Sequence, residues 1–541
     1  MLLVSIQGMT CTSCASHIKH TLEAIEGVER AEVSYQIASA QVTKSTDLQV
    51  AAIIGAVESL GYTAEQRSDQ TSSSAGDPLH VAIIGSGSGA FACAIKAAEG
   101  GARVTLIEGA NLIGGCCVNV GCVPSKILIR AAQLAQQQRN NPFDGLDNHS
   151  PNVNRALLAQ QQSARVEELR VAKYENILAA NEALSLVKGY ARFKDANTLI
   201  VRQVDGSEAE IKADNILIAT GSTPTVPVIG GLADTPYWTS EEALFAHQLP
   251  EHLMVIGASV VALEIAQAYR RLGSEVTLLA RHTLLYGQDP LLGEKLTECF
   301  AKEGMRVLTH TQATSVSHDG QQFSLQTNAG PLHCDQLLIS TGRHANTQQL
   351  NLPAVGVKTD KSGKIMVNER MQTNLANVYA AGDCSSMPQF VYVAAAAGSR
   401  AGVNMTGGDA SLDLTTMPAV IFTDPQVATV GLTQAQAEAQ GINTDSRVLD
   451  MLNVPRALAN FETDGFIKLV IEQASGRLIG AQILCHDGGE IIQSAALAIR
   501  NKMTITDLAG QLFPYLTMVE GLKLCAQTFN KDVSDLSCCA G

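Results

Sequence analysis

The run Val81-Ala82-Ile83-Ile84-Gly85-Ser86-Gly87-Ser88-Gly89-Ala90 constrains this chain more than any other, because ten residues specify a strand, a turn and a helix start. The apolar tetrad reads as a buried strand, the glycines as a tight turn, and the small residues that follow as a helix. Val104–Ile107 supplies the next strand and ends at Glu108. In that context Gly85, Gly87, Gly89 and Ala90 let backbone approach a pyrophosphate at the helix N-terminus, and Glu108 stands where ribose hydroxyls are held. Ile216–Ala219, closing in Thr220-Gly221, is a further buried strand. A second unit of the same kind runs from Leu253–Ile256 through Gly257-Ala258-Ser259-Val260-Val261-Ala262 to Glu275–Ala280. There Ser259 replaces the middle glycine, and Arg281-His282 stands in place of the acid. A cation at that point pairs with a 2′-phosphate, which favours NADPH over NADH, although Arg281 also reads as an ordinary solvated charge. Leu337–Ser340 and Thr341-Gly342-Arg343 mark the return to the first domain. Two Rossmann-like dinucleotide-binding domains, one interrupting the other, are expected.

At 541 residues the chain exceeds a single core. Hydrophobic content of 46% and charge of 17% exclude a disordered chain. The net charge of −14 argues against nucleic acid and anionic membrane surfaces as partners. No leader peptide or transmembrane-length run is visible, so no membrane insertion is expected. Thirteen cysteines without a secretion signal point to a reducing compartment, and so to the cytoplasm.

Gly114-Gly115-Cys116-Cys117-Val118-Asn119-Val120-Gly121-Cys122-Val123-Pro124-Ser125-Lys126 holds two cysteines five positions apart. On a helical turn that spacing brings Cys117 and Cys122 to one side, close enough to open and close a disulfide. A thiolate at a helix N-terminus is stabilised by the backbone dipole. Structural burial is the alternative for such a pair, and the glycines before and between the two cysteines, with Pro124-Ser125-Lys126 after them, oppose it. A helical region is expected over Ile127–Ala135 and again over Arg155–Leu186, with Tyr174 half-buried on its face.

The Gly114–Lys126 stretch resembles the redox signature of the flavoprotein disulfide reductases, the group that includes glutathione reductase and dihydrolipoamide dehydrogenase. The resemblance implies that the first dinucleotide site holds FAD, with Cys117 and Cys122 opening beside the flavin and Cys122 as the flavin-side thiolate. Val378-Tyr379-Ala380-Ala381-Gly382-Asp383 resembles the family's second flavin motif, which implies that Asp383 binds the ribityl chain. Lys126 and its ion-pair partner Glu264 match residues next to the flavin. From Pro418, the stretch Ala419–Ala428 resembles the opening of a dimerisation domain, which implies a homodimer whose subunits share their active sites.

Residues 1–67 form a separate unit. A strand over Leu2–Gln7, a helix with Ile18, Leu22 and Ile25 on one face, strands over Val28–Tyr35 and Ala40–Thr43, and a helix over Leu48–Leu60 give a βαββα ferredoxin-like sandwich. Gly8-Met9-Thr10-Cys11-Thr12-Ser13-Cys14 resembles the heavy-metal-associated domain, in which the two thiols, here Cys11 and Cys14, grip a soft ion. Residues 68–79 read as a flexible tether. The remaining limits are 80–221 and 340–412 for the FAD-binding domain, 222–339 for the NADPH-binding domain and 413–541 for the dimerisation domain.

The chain departs from the disulfide reductases near its end. Where those relatives carry a His-Pro-x-x-x-Glu pair, this chain reads Phe513-Pro514-Tyr515-Leu516-Thr517-Met518-Val519-Glu520. Tyrosine titrates near pKa 10 and is a poor proton shuttle at neutral pH. The chain then ends in Cys538-Cys539-Ala540-Gly541, a thiol pair suited to collecting a soft metal. With these features the chain is similar to the mercuric ion reductases over essentially its whole length. That resemblance implies reduction of mercury(II) to mercury(0) with electrons from NADPH by way of FAD and the Cys117–Cys122 dithiol. It also implies delivery of the metal from small-thiol complexes by Cys538 and Cys539 of a second subunit, and Tyr174 and Tyr515 flanking the metal. Two other readings stand: an organic disulfide reductase of the dihydrolipoamide type, and a copper-binding chaperone with an incidental flavoprotein body.

Overall fold

Two parallel sheets built to one plan dominate the computed structural model, which describes residues 2–9, 12–34, 39–45, 48–66 and 78–535. The first has the order Val378–Ala380, Asn215–Ile218, His80–Ile84, Arg103–Glu108, Leu184–Lys188, all parallel. The second has the order Arg306–Leu308, Glu275–Leu279, His252–Ile256, Gln336–Ile339, again parallel. Val81, Ala82 and Ile83 have no exposure, as a strand covered on both faces requires.

The two units repeat each other in atomic detail. His80 Nε2 lies 2.9 Å from Thr105 Oγ1, and His252 Nε2 lies 2.9 Å from Thr277 Oγ1, each pair 25 residues apart. The His80 amide donates to Asp214 at 2.7 Å, as the His252 amide does to Asp335. Gly85 at φ +113° and Gly257 at φ +120° make the same turn, and a side chain on either would strike the carbonyl ending a neighbouring strand, that of Ala219 or Ser340. Each unit also carries a three-stranded antiparallel meander, at Tyr190–Asp195, Thr198–Arg202 and Glu208–Lys212, and at Ala313–His318, Phe323–Thr327 and Gly330–Cys334. The chain leaves the first unit at Ser222–Pro224 and returns at Arg343–Ala345, and these two crossings pair as an antiparallel ribbon.

The expected long helix to Leu186 breaks into pieces. Arg155–Arg170 is α-helical, Val171–Glu175 is a π-turn, and Asn176–Ala180 closes the run. Asn181 then turns the chain by accepting from the Ala183 amide at 3.1 Å, and Leu184–Lys188 becomes the outer strand of the sheet. A short apolar run is ambiguous by periodicity alone, and here pairing with Arg103–Glu108 decides it.

Met1–Asp77 is a compact unit of its own. Its antiparallel sheet has the order Val28–Ser34, Ser39–Lys44, Leu2–Gln7, Thr63–Gln66. The last strand extends the expected βαββα order to βαββαβ; it is short and polar, with Ala64 alone buried, so it leaves little hydrophobic pattern. Ile18 and Leu22 of the helix Thr12–Glu23 are fully buried against Val4, Ile6 and Val42.

The third part of the main unit is an antiparallel sheet, Ala419–Ile421, Gln426–Gly431, Leu478–Cys485, Phe466–Glu472, Thr444–Asp450, backed by the helix Gly488–Arg500. It is fastened by the helix Val260–Leu272, whose Glu264, Gln267 and Arg271 lie at i, i+3 and i+7 and are 4%, 3% and 8% exposed. Glu264 accepts from the Phe422 amide at 2.9 Å, and Gln267 exchanges two hydrogen bonds with the Asp424 backbone at 2.8 and 2.7 Å. Arg271 donates to Asp424 Oδ2 at 2.7 Å and to Glu303 at 2.5 and 2.9 Å. Three side chains thus stand in for a neighbouring strand. Among the described residues, no helix is long and apolar enough to cross a membrane.

His486 completes this clamp, with Nδ1 3.3 Å from Asp424 Oδ1 and 3.7 Å from Glu462. Its pKa is raised to about 9, first by the hydrogen bond to Asp424, against burial, with the charges of Asp424, Glu462 and Asp487 adding. A histidine free in the unfolded chain titrates near 6.5, so this stabilisation is complete below that pH and fades as pH rises through about 9. We predict that thermal stability falls across that window by up to about 3 kcal/mol, and that His486→Gln flattens the profile. Parallel profiles for the two proteins in scanning calorimetry would show that the ring is not charged in the fold.

Candidate active site

The loop that carries the cysteines is seated on the glycine turn of the first dinucleotide unit. Gly115, at φ +67°, packs so tightly that an added Cβ would lie 2.6 Å from Gly87 Cα. Gly114, at φ +99°, lets the ring of Tyr174 approach, with its Cδ2 3.3 Å from the position a Cβ would take. Asn119 staples the short helix Gly115–Asn119 by donating to Ile113 O at 2.9 Å and Gly115 O at 3.0 Å.

Cys117 and Cys122 do not share one helical turn. Cys117 lies in Gly115–Asn119, the chain breaks at Val120-Gly121, and Cys122 is the first residue of the helix Cys122–Arg139. The break arises because Gly121 takes a non-helical conformation, φ −128° and ψ −113°, against the Cys116 carbonyl and sulfur. Both cysteines are free, with no disulfide between them. Cys122 is lowered to about 7, chiefly because Cys117 donates to it, against burial, with the Lys126 charge helping. Its place at the start of an 18-residue helix acts in the same direction. Cys117 is pushed well up by the same hydrogen bond, by burial and by the charge on Cys122. Of the two, Cys122 is the one whose surroundings favour the thiolate, and Cys117 the one whose surroundings favour the thiol.

Lys126 Nζ is 2.7 Å from Glu264 Oε2 and 4.4 Å from the centre of the Phe422 ring. Glu264 thereby joins the cysteine helix, its own helix and the third part of the main unit. Tyr174, in the π-turn, lies 3.1 Å from Ser88 Oγ and packs edge-on against Phe91 at 4.9 Å. Burial raises its pKa, opposed by Ser88, and both cysteines add to the rise. The tyrosine is thus both half-buried in the core and adjacent to the pair.

Gly87 caps the helix Ser88–Glu99, and Gly89 and Ala90 are buried inside it; Gly89 packs against the Ala394 carbonyl of the helix Val391–Met405. Glu108 Oε2 accepts from Ser86 Oγ at 2.5 Å and Oε1 from the Ala110 amide at 2.7 Å, which aims the carboxylate back at the glycine turn. Asp383 accepts from Ser222 Oγ at 2.7 Å. In the second unit Ser259 caps the helix Val260–Leu272 through the Ala262 amide at 3.2 Å, and its hydroxyl donates to Ser340 O at 2.9 Å. The serine gives up the glycine's openness and adds a cap. Arg281 is exposed beyond the strand Glu275–Leu279, and next to it His282 stacks on Tyr286 at 4.4 Å. Tyr515 is 52% exposed, among the exposed Leu512 and Leu516. Cys14 lies in the first turn of the helix Thr12–Glu23 of the N-terminal unit. Cys11, Cys538 and Cys539 lie outside the described residues. Ser86, Ser88, Ser222, Arg343 and Phe422 at this site were not anticipated; the polar stripe Glu264, Gln267, Arg271 on an apolar helix was the one local signal.

The model of the pyridine nucleotide-disulphide oxidoreductases matches residues 79–398, that of their dimerisation domain 417–526, and that of the heavy-metal-associated domain 3–63. A mercuric reductase of Shewanella putrefaciens is 72% identical over 557 aligned residues, covering 100% of both chains. The chain belongs to the mercuric reductase family. A mercuric reductase of Acidithiobacillus ferrooxidans is 57% identical, covering 99% of this chain and 98% of its own. Among solved structures, the HOCl-induced flavoprotein disulfide reductase RclA from Escherichia coli superposes with a TM-score of 0.74 at 27% identity, over 83% of this chain and 99% of that one.

The asymmetric pair gives a direct expectation. In reduced protein, iodoacetamide should alkylate Cys122 before Cys117, with a rate midpoint near pH 7, and Lys126→Gln should move that midpoint upward. Peptide mapping that finds Cys117 labelled first would reverse the assignment of thiolate and thiol.

Proposed function

We propose that the chain reduces mercury(II) to mercury(0) with electrons from NADPH, through FAD and the Cys117–Cys122 dithiol. The balanced reaction is Hg(II) plus NADPH giving Hg(0), NADP+ and one proton. The observation that carries this reading is the pair itself: two free cysteines at the junction of two helices, with Cys122 at the start of the helix that carries Lys126, in a chain 72% identical to a mercuric reductase.

The residues present fit both dinucleotides. A helix start capped by Gly87, backbone bared by Gly85 and the carboxylate of Glu108 suit a pyrophosphate and its ribose, and Asp383 suits a ribityl chain. Gly257, Ser259 and the exposed Arg281 support a second dinucleotide with a 2′-phosphate. Bound in the first site, FAD supplies two-electron transfer between a nicotinamide and a dithiol.

The chain's own groups do the rest. Mercury(II) is soft and prefers two thiolates, so Cys122 ligates it as it stands. Cys117 becomes the second ligand by losing its proton to solvent as the new sulfur–mercury bond forms. Lys126 offsets the negative charge that two thiolates bring. Tyr174, tied to Ser88, borders the pair and limits how a ligated ion lies there. The reduced atom is neutral and departs because thiolates hold it poorly. No leaving thiol needs a proton, which suits a chain with Tyr515 where disulfide reductases carry histidine.

The exposed Tyr515, Leu512 and Leu516 support a site completed by a second copy, in which Tyr515 borders the partner's Cys117 and Cys122. Cys538 and Cys539 then bring in metal bound to small thiols, and Cys11 and Cys14 collect it when such thiols are scarce. Residues 1–67 act as a separable collector; the expected tether 68–79 lies outside the described residues as far as Asp77. The FAD-binding parts are 80–221 and 340–412, the NADPH-binding part is 222–339, and 413–541 is the dimerisation domain. The cytoplasm, where NADPH and reduced thiols are at hand, is the compartment this chemistry needs.

Purified protein should be yellow and should oxidise NADPH only when mercury(II) is added with excess thiol. Comparable turnover on oxidised lipoamide or glutathione disulfide would favour the disulfide-reductase reading, and no turnover on either class would favour a metal chaperone.

Replacing Cys538 and Cys539 by alanine should spare reduction of the flavin but collapse turnover on mercury held by two small thiols, because ligand exchange favours entering thiolates held close by. Mixing that variant with Cys117→Ala/Cys122→Ala protein should restore part of the activity in heterodimers. Full activity of the tail variant on thiol-bound mercury would remove the tail from the mechanism.

A further inference from the structure

Arg343 makes three contacts that the proposed reaction does not use. It lies on the strand Arg343–Ala345, where the chain re-enters the first dinucleotide unit. Its Nε donates to Ser222 Oγ at 2.8 Å, and its Nη2 donates to Ser222 O at 2.7 Å. The same Nη2 reaches Cys116 Sγ at 3.5 Å. Ser222 Oγ has one proton, and it is spent on Asp383 Oδ2 at 2.7 Å. The guanidinium therefore dictates the direction of that hydroxyl: with Nε filling a lone pair, the O–H must point to the aspartate. Ser222 is buried, so neither bond has water to replace it at no cost. On the other side, Cys116 lies in the short helix Gly115–Asn119 next to Cys117, and its sulfur is 3.1 Å from where a Cβ on Gly121, the residue before Cys122, would stand.

We propose that Arg343 is a positioning residue that ties the cysteine loop to the flavin cradle, acting on Asp383 through Ser222 and on the loop through Cys116. The inference rests on the reading that Asp383 holds FAD. A lysine cannot replace the arginine, because the contacts to Ser222 come from two nitrogens of one rigid fork. The charge also bears on Glu241, whose pKa burial raises and Arg343 opposes. The charges of Arg343, Glu241 and Asp383, from three separate segments, all bear on Cys116. The link also joins the ribbon between the two dinucleotide units to the redox centre, so a shift of that ribbon reaches Asp383 and Cys116 together.

The test is FAD affinity, measured by titrating apoprotein with FAD and following quenching of flavin fluorescence. Ser222→Ala, Arg343→Lys and Arg343→Gln should each weaken binding about tenfold, the size expected for a lost hydrogen bond to a charged group. The double variant Ser222→Ala/Arg343→Gln should bind no more weakly than Arg343→Gln alone, because both act on one aspartate. Additive losses, wild-type affinity in Ser222→Ala, or full rescue by Arg343→Lys would each overturn the relay. Asp383→Ala separates the two readings. If it binds FAD as the wild type does, the assignment of Asp383 is wrong and the relay goes with it. If it loses FAD while Ser222→Ala does not, only the relay fails. Should Arg343→Gln not fold, Ser222→Ala and Arg343→Lys decide the question alone.

Discussion

The carboxylate of Glu264 is the point on which this structure turns. It is 4% exposed, yet one oxygen accepts from Lys126 and the other from the Phe422 amide. A buried carboxylate is tolerated only where its partners replace the water it has lost. Here those partners come from the cysteine helix and from the third part of the main unit, so satisfying one charge draws three segments together. Lys126 is the more open partner, and the pair is better regarded as a shared acceptor than as a stabilising salt bridge. Removing the acid leaves a lysine beside Cys122 without its counter-charge and an amide without its acceptor. The first effect reaches the chemistry directly, because the Lys126 charge lowers the Cys122 pKa and the Glu264 charge raises it.

Gln267 and Arg271 continue from that acid along the same helix face, and their partners lie in Asp424 and Glu303. Arg271 is almost fully buried and meets two carboxylates, with His486 carrying a further positive charge on the far side of Asp424. The arrangement balances charge inside the junction. It also explains why a helix that must pack as an apolar element carries three long polar side chains at fixed spacing.

Much of the architecture was legible in the chain. Both strand–glycine–helix–strand units, the α/β class and the small N-terminal sandwich follow from local patterns that tertiary contacts do not override. What escaped was set by distant pairing. Leu184–Lys188 is apolar enough for either element, and only its neighbour Arg103–Glu108 makes it a strand. Thr63–Gln66 has a single buried side chain, and the two meanders are short and half-polar. At the site, the cysteines and Glu108 stand in motifs and are legible from spacing, and Lys126 follows from the family resemblance. The contact between Ser222 and Arg343 is not legible in this way, because 121 residues separate the two. The helical-turn reading of Cys117 and Cys122 fails for a local reason: Gly121, between them, has a backbone that ends one helix and starts another.

That interruption has a mechanical consequence. Two sulfurs on one rigid turn would be held at a single separation by the hydrogen bonds of the helix. Here one sulfur rides on a five-residue helix and the other on an eighteen-residue one, with Val120 and Gly121 as the only covalent joint. A covalent S–S bond, a thiol resting on a thiolate, and two sulfurs spread to either side of a large ion demand three different spans. A short cylinder joined to a long one at two non-helical residues is not bound to the single span that one turn would impose, which suits the proposed use of one pair both as an electron store and as metal-binding jaws.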